Sequence, residues 1–262
     1  MNNIFDISEK RILLIGATGV LGRAYAKSLS ESGAKLIIAD MKNTDIKFLS
    51  KELGIDNVEI DVTSETSVIN AMKFVHEKMG GLDGVVNNAA ATGEGLMKEG
   101  KVFADFEDYP LSVWKKTIDV NLTGSFLVAR EAGKIMKSTS SNGVLINISS
   151  IYGVVAPDHR IYEGQPFKSF PGYSASKAGI IGLTKWLSTW WGGSNIRVNS
   201  VTPGGVFNDH NEDFVKAYSN RTPMARMAER EELVGMIIYL LSDASSYVTG
   251  QNFIVDGGFT AW

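Results

Sequence analysis

The chain has 262 residues, 44% of them hydrophobic, with no cysteine and a formal net charge of −3. Such a length can bury a sizeable core, while the lack of cysteine excludes disulfides, thiolate nucleophiles and zinc–thiolate sites, and no metal centre is expected. The slightly acidic balance speaks against nucleic acid or an anionic membrane as partner, and the first residues carry neither the basic start nor the apolar run of a leader, so a cytoplasmic protein is expected.

Short, β-branched runs bounded by Gly, Asp or Asn predict strands over 11–15, 35–40, 58–60, 82–87, 143–149, 196–201 and 253–255. Between them, helical patterns fall over 22–32, 65–79, 111–137, 173–191 and 230–241. Alternation of this kind favours a parallel sheet covered on both faces, an α/β doubly wound fold. No linker or repeat interrupts it, so 1–262 is read as a single domain.

The first predicted strand runs into Gly16-Ala17-Thr18-Gly19-Val20-Leu21-Gly22, a G-x-x-G-x-x-G turn that opens a helix. Glycines let backbone approach a pyrophosphate, and the helix N-terminus attracts its charge. Asp40 ends the second strand, where a dinucleotide fold presents a carboxylate to ribose hydroxyls. Further on, Tyr173-Ser174-Ala175-Ser176-Lys177 sets a phenol one helical turn before an ammonium, a pairing able to serve as a general acid/base.

With Asn87-Asn88-Ala89-Ala90, Asn121, Ile148-Ser149-Ser150, Pro203-Gly204 and Val255-Asp256-Gly257-Gly258 added, the chain resembles the classical short-chain dehydrogenase/reductases from about residue 11 to 258. The resemblance implies a Rossmann-like sheet of seven parallel strands, NAD as cofactor, and a small-molecule substrate. It also implies a homodimer or homotetramer. Tyr173 would move the proton at the carbonyl or alcohol oxygen, Lys177 would lower its pKa and hold the nicotinamide ribose, Ser150 would bond the same oxygen, and Asn121 would anchor a relay water. For Asn121 a buried amide satisfied by backbone remains the alternative. Gly16, Gly19, Val20, Leu21 and Gly22 would face the phosphates, Asp40 the adenosine ribose, Asp61-Val62 the adenine, Asn87 and Ala89 the adjoining backbone region, and Pro203-Gly204 the nicotinamide. Asp61 reads equally well as a cap before Thr63-Ser64-Glu65.

The chain departs from the family pattern in places. Ile15 replaces the usual Thr, Val20 follows an early glycine as in the extended branch of the superfamily, and Gly205 follows Pro203-Gly204 where relatives place a Thr. Substrate loops are expected over 91–108, 151–172 and 205–222, with Ala91, His159, Tyr162, Gln165 and Phe207 as candidate substrate contacts. Their polar character suits a sugar, sugar phosphate or nucleotide sugar. The insert between Ser150 and Tyr173 is similar to that of short-chain members tied to bacterial surface-sugar or flagellin modification. Trp190-Trp191 is expected at a subunit interface. The function that results is an NAD(H)-dependent oxidoreductase interconverting a secondary alcohol and a ketone. The alternatives are a lyase or isomerase using bound NAD as transient oxidant, and a silent dinucleotide-binding regulator.

Overall fold

Arg11–Ile15 (β1), Lys35–Asp40 (β2), Asp56–Glu59 (β3), Gly84–Asn87 (β4), Val144–Ile148 (β5), Arg197–Pro203 (β6) and Asn252–Val255 (β7) form one parallel sheet, ordered β3-β2-β1-β4-β5-β6-β7. This computed structural model describes residues 3–42, 44–139 and 142–262. Met1 and Asn2, part of the N-terminal stretch read above, lie outside the described residues.

The helices are Val20–Glu31 (α1), Ile46–Leu53 (α2), Glu65–Met79 (α3), Gly93–Leu96 (α4), Leu111–Ile118 (α5), Gly124–Ser138 (α6), Pro171–Trp191 (α7), Glu212–Ser219 (α8) and Val234–Leu241 (α9). Strand residues alternate between two cores because successive side chains point to opposite faces. Leu13, Ile15, Val85, Leu145 and Val198 pack with α3, α6 and α7. Ile12, Leu14, Val86, Ile146 and Val201 pack with α1, α2 and α9. The sheet is thus doubly wound, as expected.

Several expectations are corrected. The predicted helix over 111–137 is divided by a π-helical segment, Asp119–Thr123. The segment over 230–241 begins as a 3-10 turn, Arg230–Leu233, closed by a reciprocal capping box between Glu229 and Glu232. Helix α2 was not expected; Gly54, at φ 66°, ends it. Nor was α8, whose cap residue Asn211 accepts from the Phe214 N–H at 2.9 Å, so 205–222 is not a continuous loop. Trp191, expected at an interface, is 5% exposed and packs against α6, where a Cβ on Gly133 would overlap its indole. Trp186 and Trp190 instead stack on each other at 5.4 Å and lie exposed.

Candidate active site

The strand order reverses between β1 and β4, and ligands of such sheets bind at the carboxyl ends beside that point. The glycine turn follows β1, Asp40 ends β2, Asn88–Ala91 follow β4, Ser149-Ser150 follow β5, and Gly204 follows β6. All reach the same edge.

At the glycine turn, Gly16 has φ 77°, and a Cβ on it would sit 2.7 Å from the Ala89 nitrogen. A Cβ on Gly22 would overlap the Gly16 carbonyl. Those two glycines are fixed by backbone packing, whereas Gly19 is exposed and caps α1, leaving the amides from Val20 onward at a free helix start. The cradle fits a pyrophosphate. Asn88, which the sequence reading passed over, locks it by donating Nδ2 to the Gly16 carbonyl at 2.8 Å. Its neighbour Asn87 turns inward, donating to Ser125 at 3.0 Å, so only its backbone borders the edge. Val62 is buried against Gly124, and Asp61 accepts from the Thr63 N–H at 2.9 Å while Ser64 is the actual cap of α3. Asp40 accepts from the N–H and hydroxyl of Thr18 at 2.9 and 2.7 Å.

The second half of the site is carried by α7. Pro171 opens this helix, its fixed φ suiting the first turn, so that Tyr173 and Lys177 follow on one face. Tyr173 hydrogen-bonds Ser150; burial raises the phenol pKa and that bond opposes the rise. Lys177 is 2% exposed, and burial lowers its pKa to about 8. Its Nζ donates to the Ile148 carbonyl at 2.8 Å and lies 5.6 Å from the Tyr173 ring centroid. Gly153 makes the crowding around Lys177 possible, since a Cβ there would lie 2.7 Å from the Lys177 carbonyl carbon.

Asn121 sits in the π-helical segment, fully buried. Its Oδ1 accepts from the Ala91 N–H at 2.7 Å, and its Nδ2 donates to Ser176 at 2.9 Å, whose hydroxyl donates to the Tyr173 carbonyl at 2.8 Å. The side-chain amide therefore ties the segment after β4 to α7. Ala91 is the other end of that tie, packed with Leu96, Val102 and Phe170.

The scaffold and its motifs agree with the known proteins it is similar to. Residues 16–260 match the family described as Enoyl-(Acyl carrier protein) reductase. The chain belongs to the short-chain dehydrogenase/reductase family. It is similar to Trans-4-hydroxycyclohexanecarboxylate dehydrogenase of Sinomonas cyclohexanicum, at 36% identity over 100% of this chain and 97% of that one. Similarity to Post-translational flagellin modification protein A of Campylobacter coli is 32%, over 97% and 99%. A short-chain dehydrogenase of Leptospira borgpetersenii serovar Hardjo-bovis, solved with bound NAD+, superimposes with TM-score 0.87 at 31% identity, covering 99% of this chain and 96% of that one. This short-chain dehydrogenase/reductase is thus an oxidoreductase acting on CH–OH groups with NAD(H).

In this family member the insert forms a packed wall. Ile161, Tyr162 and Phe167 join Phe214, Tyr218 and Phe259 in a third core. Within that wall the hydroxyls of Tyr152 and Tyr162 meet at 2.6 Å. Burial raises both phenol pKa values, that of Tyr162 to about 12. Tyr152 follows Ser150 by two residues and donates its N–H to that hydroxyl at 3.2 Å, a proximity no spacing signal marked. Gln165 accepts from Asn211 across to α8. Phe207 is exposed, its ring centroid 6.3 Å from that of His210. His159 lines cavities of about 530 and 600 Å³, the first together with Tyr162, Gln165 and Phe167 and both together with Lys168.

Proposed function

We propose that this oxidoreductase interconverts a secondary alcohol and a ketone on a polar, carbohydrate-like molecule, with NAD preferred to NADP. The Ser150–Tyr173 hydrogen bond beside buried Lys177 carries the reading. When bound, the nicotinamide supplies hydride acceptance or donation at carbon. The chain's residues handle the oxygen. Burial keeps Tyr173 protonated in the free protein, ready to give its proton to a forming alkoxide, and Ser150 donates or accepts at the same oxygen. Lys177 supplies positive charge on the same helical face, while Asn121 holds that face in place through Ser176.

Gly16, Gly19 and Gly22 with the amides of Val20 and Leu21 would hold the pyrophosphate, Asp40 the adenosine ribose, Asp61 and Val62 the adenine end, and Ala89, Pro203 and Gly204 the remainder. The phenols of Tyr152 and Tyr162 favour a substrate bearing further oxygens, because each can offer a hydrogen bond within an aromatic wall. Similarity to a hydroxycyclohexanecarboxylate dehydrogenase supports a ring-sized secondary alcohol. The exposed Trp186–Trp190 stack supports a homodimer or homotetramer. A screen of sugars, sugar phosphates and cyclic hydroxy acids, read by absorbance of reduced nicotinamide, tests the reading. Net accumulation of NADH with one of them is expected; turnover without net reduction would favour an isomerase.

A further inference from the structure

Two carboxylates and a guanidinium meet around one residue of the glycine turn. Thr18 gives its N–H and hydroxyl to Asp40, and its carbonyl accepts from Nε of Arg23 at 3.1 Å. Nη2 of the same guanidinium pairs with Asp45, the residue before α2. Arg23 and Asp40 are therefore held on two sides of Thr18, on the rim read above as the adenosine end.

A planar guanidinium is suited to phosphate, which it can grip with two parallel hydrogen bonds. Left free beside Asp40, it would receive a 2′-phosphate and offset the like-charge repulsion that disfavours NADP. Asp45 takes one edge of the guanidinium and offsets part of its charge. The pair is partly exposed, at 33% for Arg23 and 52% for Asp45, so the partner can be exchanged at modest cost. Asp45 makes no side-chain capping bond to α2, so Asn in its place removes charge without removing a cap.

We propose that Asp45 is a second determinant of dinucleotide choice, acting by withholding Arg23 from the 2′-phosphate of NADP. The proposal rests on the reading that Asp40 faces the adenosine ribose. Dissociation constants for NAD and NADP, titrated by fluorescence without substrate, test it in the unmutated protein, Asp45→Asn, Arg23→Gln, the double variant and Asp40→Ala. Asp45→Asn should bind NADP about three- to fivefold more tightly with less change for NAD, the order expected of one exposed ion pair. That gain should vanish in the double variant and shrink in about 0.5 M salt. Unchanged NADP affinity in Asp45→Asn overturns the proposal. So does a gain that persists in the double variant, which would assign the phosphate to another cation. If Asp40→Ala leaves the NAD to NADP ratio untouched, the ribose reading itself falls. A response to Asp40→Ala with Asp45→Asn silent sinks the Asp45 proposal alone.

Discussion

The ammonium of Lys177 is 2.8 Å from the carbonyl oxygen of Ile148, so the buried charge is anchored to the end of β5 and not to the phenol one turn away. Its folded pKa of about 8 lies below the ordinary 10.5. Between those values the unfolded chain holds more protons than the native one, so native stability rises as pH climbs through the window and the full penalty applies below it. Lys177→Met lacks this dependence. Urea unfolding at about pH 7 and pH 9.5 should therefore show the unmutated protein gaining roughly 2 kcal/mol on the variant. A difference that stays flat would mean Lys177 is not a desolvated cation.

Tyr173→Phe keeps the ring against Phe170, 5.6 Å between centroids, and removes only the hydroxyl bonded to Ser150. Turnover should fall by about a hundredfold or more, the usual worth of a positioned acid/base. NAD affinity should stay within about threefold, because a nearly isosteric side chain leaves the cradle intact. Calorimetric titration alongside steady-state rates checks both; a folded variant with undiminished turnover would remove Tyr173 from the chemistry.

The Tyr152–Tyr162 pair separates wall from substrate contact. If one hydroxyl leaves its partner to bond the substrate, Tyr162→Phe should raise KM about three- to tenfold with kcat within about twofold. Thermal melting should move little, since the ring still packs on Phe167 and Phe214 at 6.1 and 5.5 Å. Unchanged KM in both Tyr162→Phe and Tyr152→Phe would leave the pair as an internal bond only.

Tryptophans on α7 divide by depth. Trp191→Ala should destabilise the fold by about 3–5 kcal/mol, the range for a large buried aromatic, readable from denaturant midpoints. Trp186→Glu with Trp190→Glu should leave that midpoint nearly unchanged and lower the mass seen in light scattering. Native mass in the double variant would make the stacked pair a free surface.

The sheet was legible because buried parallel strands are short, β-branched and bounded by turn residues, and β1 and β2 match the expected ranges to the residue. The site motifs were legible for a similar reason: glycines at a close approach, and a phenol and ammonium on one helix face, have fixed spacings. What escaped were relations that depend on tertiary contact. Asn121 stands out in the sequence as a polar residue in the apolar run 120–128, but its partners Ala91 and Ser176 are brought to it from the segment after β4 and from α7. Tyr152 carried no signal, since its meaning arises from Tyr162 ten residues on. The loop expected over 205–222 looked irregular because α8 is short and polar on one face, and only Phe214 and Tyr218, buried one turn apart, show its inner side.

Asp119–Thr123 also makes the long run from α5 to α6 unequally tolerant of change. A π-helical stretch accommodates an extra residue in the helical path, and each residue of an α-helix turns the chain by about 100°. Removing one residue there would return the stretch to α-helical turns and keep the register after it, whereas a deletion in the regular first turn of α6 would rotate everything after it by that angle. In that second case Leu127, Val128, Ala132 and Ile135 would swing off the core they share with α3, while a deletion within 119–123 would disturb only the local path that aims Asn121 at Ser176. In descendants of this protein a gap at 119–123 should therefore leave the packing of α6 in place and tell only on Asn121, whereas a gap in the first turn of α6 should tell on the whole fold.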